Sequence, residues 1–231
     1  RKVAELNQRR CVINELIQKD DHYELDLADF EAKLSEVRMF ILCSPHNPTS
    51  RVFSPQELDA MLSLCRRYHI AVIADEIHAD WVYGTMTAAS ALDQNVITLL
   101  SPSKTFNLQG MQCSFMFIPD ADQAQAVQRE RDALAYMNNQ TFSHAAALAA
   151  YSEEGAAWLD QAKAYVQENT RVFCAMLKTA GVSLKPMRLE STFLLWVDCS
   201  GCCKTDAEVV DLFENRCHRI THDDINNRSF W

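Results

Sequence analysis

The chain has 231 residues, 48% of them apolar, and 31 acidic against 22 basic residues give it a net charge of −9. That length fits one large domain, or one domain with part of a second, and the negative charge disfavours nonspecific binding to nucleic acid or to an anionic membrane. No apolar run approaches the roughly 20 residues of a membrane span, and the basic first residues lack the apolar stretch of a secretion signal, so we expect a soluble, cytoplasmic protein.

Four apolar segments predict strands, the first three of them buried, and a helix is predicted between the first two. The segments are residues 38–43, 70–74, 96–100 and 113–118. The helix begins after Ser54, because Ser54 can accept from the free amides, Pro55 suits the first turn and Glu57 completes a capping box. Continuous apolar strands that alternate with helices predict an α/β fold, in which a mainly parallel sheet carries helices on both faces.

The second half of the chain differs in character, because it is rich in alanine, glutamine and glutamate. A long helix is predicted to end at Gly181, a residue that suits a helix C-terminus. We predict a large domain in residues 1–150 and part of a smaller α+β domain in residues 151–231. The predicted elements here are long helices at residues 121–137 and 143–180, a strand at residues 191–199 and a short helix at residues 205–216.

Polar residues directly follow three of the predicted strands. The carboxyl ends of parallel strands meet at one edge of an open α/β sheet, where ligands bind. Alone, Asn47 also fits a turn and Asp75 a helix cap. Likewise, His78 alone fits an ordinary surface or core imidazole, and Lys104 a solvated charge. Their joint placement favours a binding site, and the candidate residues are Asn47, Asp75, His78, Ser101, Ser103 and Lys104.

Three motifs at this edge resemble those of a known enzyme family. They are SPHNPTSR at residues 44–51, ADEIHAD at residues 74–80 and SPSKTFN at residues 101–107. Together they resemble fold-type I pyridoxal-phosphate enzymes of the class I/II aminotransferase superfamily, and most closely its cystathionine β-lyase (C–S lyase) subgroup. The resemblance extends from about residue 9 to residue 198, and it implies that residues 1–150 are part of a large cofactor-binding domain.

The resemblance implies a role for each candidate residue. Lys104 matches the catalytic lysine that holds pyridoxal 5'-phosphate as a Schiff base, and a desolvated pocket helps its amine to lose a proton. Asp75 matches the carboxylate that faces the pyridine nitrogen and keeps it protonated, so that the ring accepts electrons from the substrate. Asn47 matches the amide that donates to the phenolic oxygen. The other implied cofactor contacts are His78 near the same oxygen, Ser101 at the phosphate and Ser103 beside it.

The implied activity is β-elimination from a small amino acid. Such a lyase cleaves the C–S bond of cystathionine or a cysteine-type substrate and releases pyruvate, ammonia and a thiol. An aminotransferase on the same scaffold is the alternative, since the substrate pocket decides between the two. The resemblance also implies a homodimer, and neither a nucleic acid nor a membrane is an expected partner.

The chain departs from the family pattern in length and at one loop position. Family members are considerably longer, and the region that precedes Arg1 in them carries part of the cofactor site. Nothing in residues 217–231 matches the context of the arginine that grips the substrate carboxylate. Ser50 stands where a glycine is usual, which strains the loop if its φ is positive. A catalytically incomplete fragment, or an interaction protein that kept only the fold, is therefore a further alternative.

A remote alternative is a zinc-binding module near the C-terminus. Cys199, Cys202, His218 and His222 have local spacings like those of a structural zinc site. Against this alternative, the residues before Cys199 already predict a strand of the domain. We therefore expect no metal.

Overall fold

The computed structural model describes residues 2–136 and 141–216. Its strands are β1 (Ile17–Gln18), β2 (Tyr23–Glu24), β3 (Met39–Cys43), β4 (Ala71–Asp75), β5 (Ile97–Leu100), β6 (Phe115–Phe117), β7 (Lys185–Pro186) and β8 (Val197–Asp198). Its α-helices are α1 (Lys2–Leu6), α2 (Leu27–Leu34), α3 (Pro55–Arg67), α4 (Ala89–Leu92), α5 (Pro102–Thr105), α6 (Ala121–Ala133), α7 (Thr141–Ala150), α8 (Glu153–Ala180) and α9 (Asp206–Val210). A 3-10 turn (Gln109–Met111) and a π-helical turn (Asp211–Arg216) complete the described elements.

A four-stranded sheet with the order β3-β4-β5-β6 organises the fold. Strands β3, β4 and β5 are parallel, and β6 runs antiparallel to β5. The register places Cys43 opposite Asp75 and Asp75 opposite Leu99, so the carboxyl ends of the three parallel strands meet at one edge. The predicted α/β class with a mainly parallel sheet is confirmed, and the loops at this edge carry the candidate site.

The two faces of the sheet have different environments. On one face, Leu42, Val72 and Ala74 are buried in a hydrophobic core to which α2 and α3 also contribute. Side chains alternate along a strand, so Met39 and Ile41 point to the opposite face, where they are 50% and 64% exposed. The helices α2 and α3 thus cover the first face of the sheet, while apolar side chains on the second face stay exposed.

The helix α3 forms as its sequence predicts. Ser54 accepts a hydrogen bond from the backbone of Glu57, while the Glu57 carboxylate accepts from the Ser54 backbone at 2.9 Å. With Pro55 in the first turn, this reciprocal cap leaves few unsatisfied amides at the helix start. The apolar stripe is fully buried and consists of Leu58, Met61, Leu62 and Cys65.

The predicted continuous helix at residues 143–180 is wrong, because the structure breaks it between Ala150 and Glu153. Ser152 caps the second helix by accepting from Gly155 N at 3.1 Å. A Cβ atom at Gly155 would lie 2.0 Å from Ala150 O, so only glycine permits this close approach of the two helices. The end of the second helix is as predicted, since Gly181 takes a left-handed conformation at φ +63°.

Two other predicted elements are shorter in the structure. The helix from residue 121 ends at Ala133, and residue 137 lies outside the described residues. The strand predicted for residues 191–199 is reduced to Val197–Asp198, because Thr192 takes a positive φ of 62° that interrupts extended pairing. Ser191 forms an isolated bridge with Val82 instead. The division into two domains near the break after Ala150 stays a prediction.

Within the described residues, no helix combines the length and the apolar composition that crossing a membrane requires.

Candidate active site

The loops after β3, β4 and β5 bring three of the predicted site residues to one cleft. Asn47, His78 and Lys104 line this cleft, which has a volume of about 280 Å3. These three residues lie far apart along the chain. The parallel register of β3, β4 and β5 brings them together. Three residues that the sequence did not single out complete the lining, namely Gln109, Phe193 and Leu194.

Asn47 and His78 form a buried polar pair in the cleft. Asn47 Nδ2 lies 3.4 Å from His78 Nε2, and the imidazole is only 2% exposed. When neutral His78 accepts this hydrogen bond at Nε2, its Nδ1 carries the proton. In the part of the chain that the structure describes, the buried His78 Nδ1 and Asn47 Oδ1 have no hydrogen-bond partner. A buried donor and acceptor without partners are costly, so this pair has unmet hydrogen-bonding capacity beside the cleft.

Burial is the main reason that the pKa of His78 lies below its usual value, and the positive charge of Lys104 lowers this pKa further. The negative charge of Asp75 acts in the opposite direction. His78 is therefore a neutral imidazole at neutral pH, able to accept a hydrogen bond and to donate one. The ring of Phe193 meets it edge-on, with 6.1 Å between the ring centroids.

Asp75 ends β4 and holds the first loop against the second. Its backbone carbonyl accepts from Ser44 N at 3.1 Å, and its side chain accepts from Ile77 N at 3.3 Å. The carboxylate is half-buried and close enough to His78 to influence its pKa. Asp75 is not among the described residues that line the cleft, and its role towards a cofactor stays a prediction.

Ser101 and Ser103 shape the turn that presents Lys104. Ser101 Oγ accepts from Ser103 N at 3.0 Å, which caps the short helix α5. The same hydroxyl lies 2.6 Å from Cys113 O and 2.8 Å from Ser103 Oγ, so it is bonded within the protein. Neither serine is among the described lining residues of the cleft, and their contact with a phosphate stays a prediction.

The donor set fits pyridoxal phosphate. A primary amine, Lys104, shares the cleft with an amide, Asn47, and a neutral imidazole, His78, and a carboxylate follows the adjoining strand. The Asn47 amide and the His78 imidazole are both groups that can donate a hydrogen bond to a ligand oxygen. These residues can therefore bind such a cofactor and position its reactive carbonyl near an amine.

Sequence reasoning missed Phe193 and Leu194 because they reach the cleft from far along the chain. The only signal was an apolar, aromatic run, which predicted a strand rather than a cleft wall. Thr192 has a positive φ, which turns the two residues towards the cleft. Nothing in the sequence predicts a positive φ at a β-branched residue. Gln109 belongs to a 3-10 turn just after the Lys104 helix and carried no signal of its own.

The remote zinc alternative receives no support from the described residues. Cys199 and Cys202 do belong to one tight turn, in which Cys202 N donates to Cys199 O at 3.0 Å. Its other two ligands, His218 and His222, lie outside the described residues. Among those that are described, no group of three or more cysteine, histidine or acidic side chains is placed to hold a metal ion.

Comparison with known proteins gives consistent matches. Residues 1–220 match the family described as aminotransferase class I and II. The cystathionine β-lyase PatB of Bacillus subtilis (strain 168) is 36% identical over 217 residues, which are 90% of this chain and 55% of PatB. The structure of cystalysin from Treponema denticola, which contains pyridoxal 5'-phosphate, is similar with a TM-score of 0.88 and 27% identity, over 94% of this chain and 57% of cystalysin.

A PLP-bound putative aminotransferase from Clostridium difficile 630 is similar to the same degree, with a TM-score of 0.88 and 30% identity. The match covers 93% of this chain and 57% of the aminotransferase. The chain thus spans about half the length of the curated relatives and solved structures that it matches. With its motifs, its fold and these matches in agreement, the chain belongs to the aminotransferase class I and II family of pyridoxal-phosphate-dependent enzymes.

Proposed function

We propose that this protein is a pyridoxal-phosphate-dependent C–S lyase. It acts on cystathionine or a related cysteine-type amino acid by β-elimination and releases a thiol, pyruvate and ammonia. The observation that carries the proposal is the single cleft shared by Lys104, His78 and Asn47, together with the likeness to a cystathionine β-lyase and to cystalysin. By analogy with the family, the protein works in the cytoplasm as a homodimer.

Each residue has a defined task in this proposal. Lys104 Nζ holds the cofactor covalently and, once a substrate amine displaces it, accepts the proton from the substrate α-carbon. Asn47 and His78 orient the cofactor from the cleft that they line, with the Asn47 amide donating to its phenolic oxygen. Asp75 supplies a negative charge near the ring, while Ser101 and Ser103 assist at the phosphate. When bound, pyridoxal phosphate supplies an electron sink for the negative charge that develops at the α-carbon.

An aminotransferase is the second candidate. The likeness to a PLP-bound putative aminotransferase supports this candidate, with the same TM-score of 0.88 as the likeness to cystalysin. The two functions share Lys104 as the base and differ in the step after proton removal. A lyase would release a β-thiolate from the substrate, whereas an aminotransferase would keep the C–S bond and pass the amino group on to a keto acid, with Lys104 moving the proton in both.

The test begins with cofactor binding to the purified chain. Pyridoxal phosphate should give a yellow protein, and borohydride should fix the cofactor on Lys104, as peptide mapping by mass spectrometry would show. The Lys104→Ala variant is the control and should remain unlabelled. Absence of colour in the wild-type chain, or labelling at other lysines alone, would contradict the proposal and favour a non-catalytic interaction protein.

A second measurement separates the two enzymatic functions. Pyruvate release from cystathionine without any added keto acid is expected of a C–S lyase. Formation of the substrate's own keto acid, together with amination of an added acceptor keto acid and without pyruvate release, would instead identify an aminotransferase.

A further inference from the structure

Two buried serines join the Asn47 loop to the segment that forms the far wall of the cleft. Ser50 Oγ donates to Leu194 O at 2.6 Å, and Ser191 Oγ donates to Ser50 O at 2.8 Å. Both serines are almost completely buried. Each side of the contact therefore gives one hydroxyl donor to a backbone carbonyl of the other side, in a place that water does not reach.

Both sides of this contact are held in unfavourable backbone conformations. Ser50 has a φ of 59° and Thr192 a φ of 62°, the left-handed region that favours glycine. Glycine at position 50 would relieve the backbone strain but would provide no hydroxyl. A serine that keeps a strained φ and donates a short buried hydrogen bond indicates a gain from that hydroxyl that offsets the strain.

Further hydrogen bonds dock the same segment on the parallel sheet's loops. Val52 N donates to the Glu190 carboxylate at 2.8 Å, and Thr192 N donates to Trp81 O at 2.7 Å. Between these anchors, the Phe193 ring meets Trp81 edge-on at 5.3 Å, in addition to its contact with His78. The segment is thus fixed on both sides of Phe193.

We propose that Ser50 is a positioning residue that fixes Phe193 and Leu194 in the wall of the cleft that they share with Asn47 and Lys104. Its hydroxyl donates a hydrogen bond to the Leu194 carbonyl from the loop that carries Asn47. This hydrogen bond fixes the distance between that loop and the wall formed by Phe193 and Leu194. The effect on substrate turnover rests on the proposed lyase function. The effect on the placement of Phe193 against His78 does not, and it can be measured without cofactor.

Two substitutions at position 50 separate positioning from stability. Ser50→Ala removes the hydroxyl and keeps the strained φ, whereas Ser50→Gly removes the hydroxyl and relieves the strain. We expect both to shift the NMR signals of the His78 ring, assigned with a His78→Gln variant, and to raise the pKa of His78 towards its ordinary value as Phe193 moves away. Ser50→Gly should keep a higher melting temperature than Ser50→Ala, so it carries the test even if Ser50→Ala does not fold.

Ser152→Ala is the matched control, because it also removes a serine hydroxyl, one that accepts from Gly155 N and donates to Ala149 O at the start of α8. It should lower the melting temperature and leave the His78 signals and pKa unchanged. If His78 is unaffected in both Ser50 variants, or is shifted equally in Ser152→Ala, the positioning role is wrong.

If the wild-type chain has no lyase activity but His78 responds as expected, the positioning role stands and the proposed function fails. In an active protein, both Ser50 variants should lose about tenfold or more in kcat/KM.

Discussion

His46, the neighbour of Asn47, is a half-buried imidazole that links acidity to stability. Burial, and secondarily the charge of Arg51, lowers the pKa of His46 to about 4, and its Nδ1 lies 2.8 Å from Thr49 Oγ1. In the unfolded chain a histidine keeps its ordinary pKa near 6.5. Since the folded-state pKa is the lower one, the unfolded chain binds more protons between these values, and stability falls as the pH decreases from about 6.5 towards 4.

Replacing His46 by glutamine should remove this part of the acid sensitivity. Between pH 7.5 and pH 4.5, we expect the wild-type chain to lose about 2 kcal/mol more of its unfolding free energy than His46→Gln does. Urea denaturation at both pH values measures the difference. Equal losses in the two proteins would show that His46 titrates normally in the folded state.

Asp75 can be tested through its neighbour as well as through catalysis. Because its negative charge raises the pKa of His78, the neutral, similarly sized Asp75→Asn should lower that pKa further, as a histidine NMR titration would show. If the proposed function is correct, the same variant should still take up the cofactor on Lys104 but lose about 100-fold or more in turnover. A variant with unchanged His78 pKa would place the carboxylate out of range of the site.

At the level of single residues, the sequence predicts the half of the cleft that follows the strands. Asn47, His78 and Lys104 come together because each directly follows a parallel strand, and strand ends meet by geometry. Phe193 could not be predicted, since its position depends on the left-handed Thr192 and on hydrogen bonds to distant loops. The strain at Ser50 was expected from the family resemblance if φ were positive, because a serine stands where a glycine is usual, and its φ is 59°.

At the level of elements, the capping box of α3 is a measurable source of stability. Ser54→Ala removes the side-chain acceptor for Glu57 N, so it should lower the unfolding free energy by about 1 kcal/mol. Ser54→Thr keeps the hydroxyl that accepts from Glu57 N and donates to Glu57 Oε2, and should lose much less. A urea denaturation series compares the three proteins. Equal stability of Ser54→Ala and the wild type would indicate that water replaces the cap without cost.

Local signals explain which elements the sequence predicts well. Three local signals mark the start of helix α3. They are the N-cap residue, the proline in the first turn and the capping-box glutamate. The break before α8 depends on the close packing of Gly155 against Ala150 O, which is a tertiary contact. An alanine-rich sequence around such a break has high helix propensity throughout, so the pattern alone predicts one continuous helix.

At the level of the whole molecule, one face of the sheet is an exposed apolar surface. Met39, Ile41 and Met116 share this face, as the register of the strands shows, and they are 50%, 64% and 52% exposed. Contiguous apolar surface of this kind promotes association. We expect the 231-residue chain to self-associate as its concentration rises, with this face as a main contributor.

A charge on this face should reduce the association. Ile41→Lys should lower the average mass measured by sedimentation equilibrium, compared with the wild type at the same concentration. Leu134→Lys is the matched control, because Leu134 is 77% exposed but follows α6, away from the sheet. The same decrease in both variants would mean that net charge, rather than this face, determines association.

The contact between Ser50 and Leu194 spans 144 positions of the chain, which matters while the protein is being made. A ribosome adds residues from the N-terminus, so all four strands of the main sheet and Lys104 emerge before the far wall of the cleft has been translated. The nascent chain therefore presents the Lys104 amine in an open groove. Only after Leu194 leaves the exit tunnel can that groove close into the pocket that the finished protein displays.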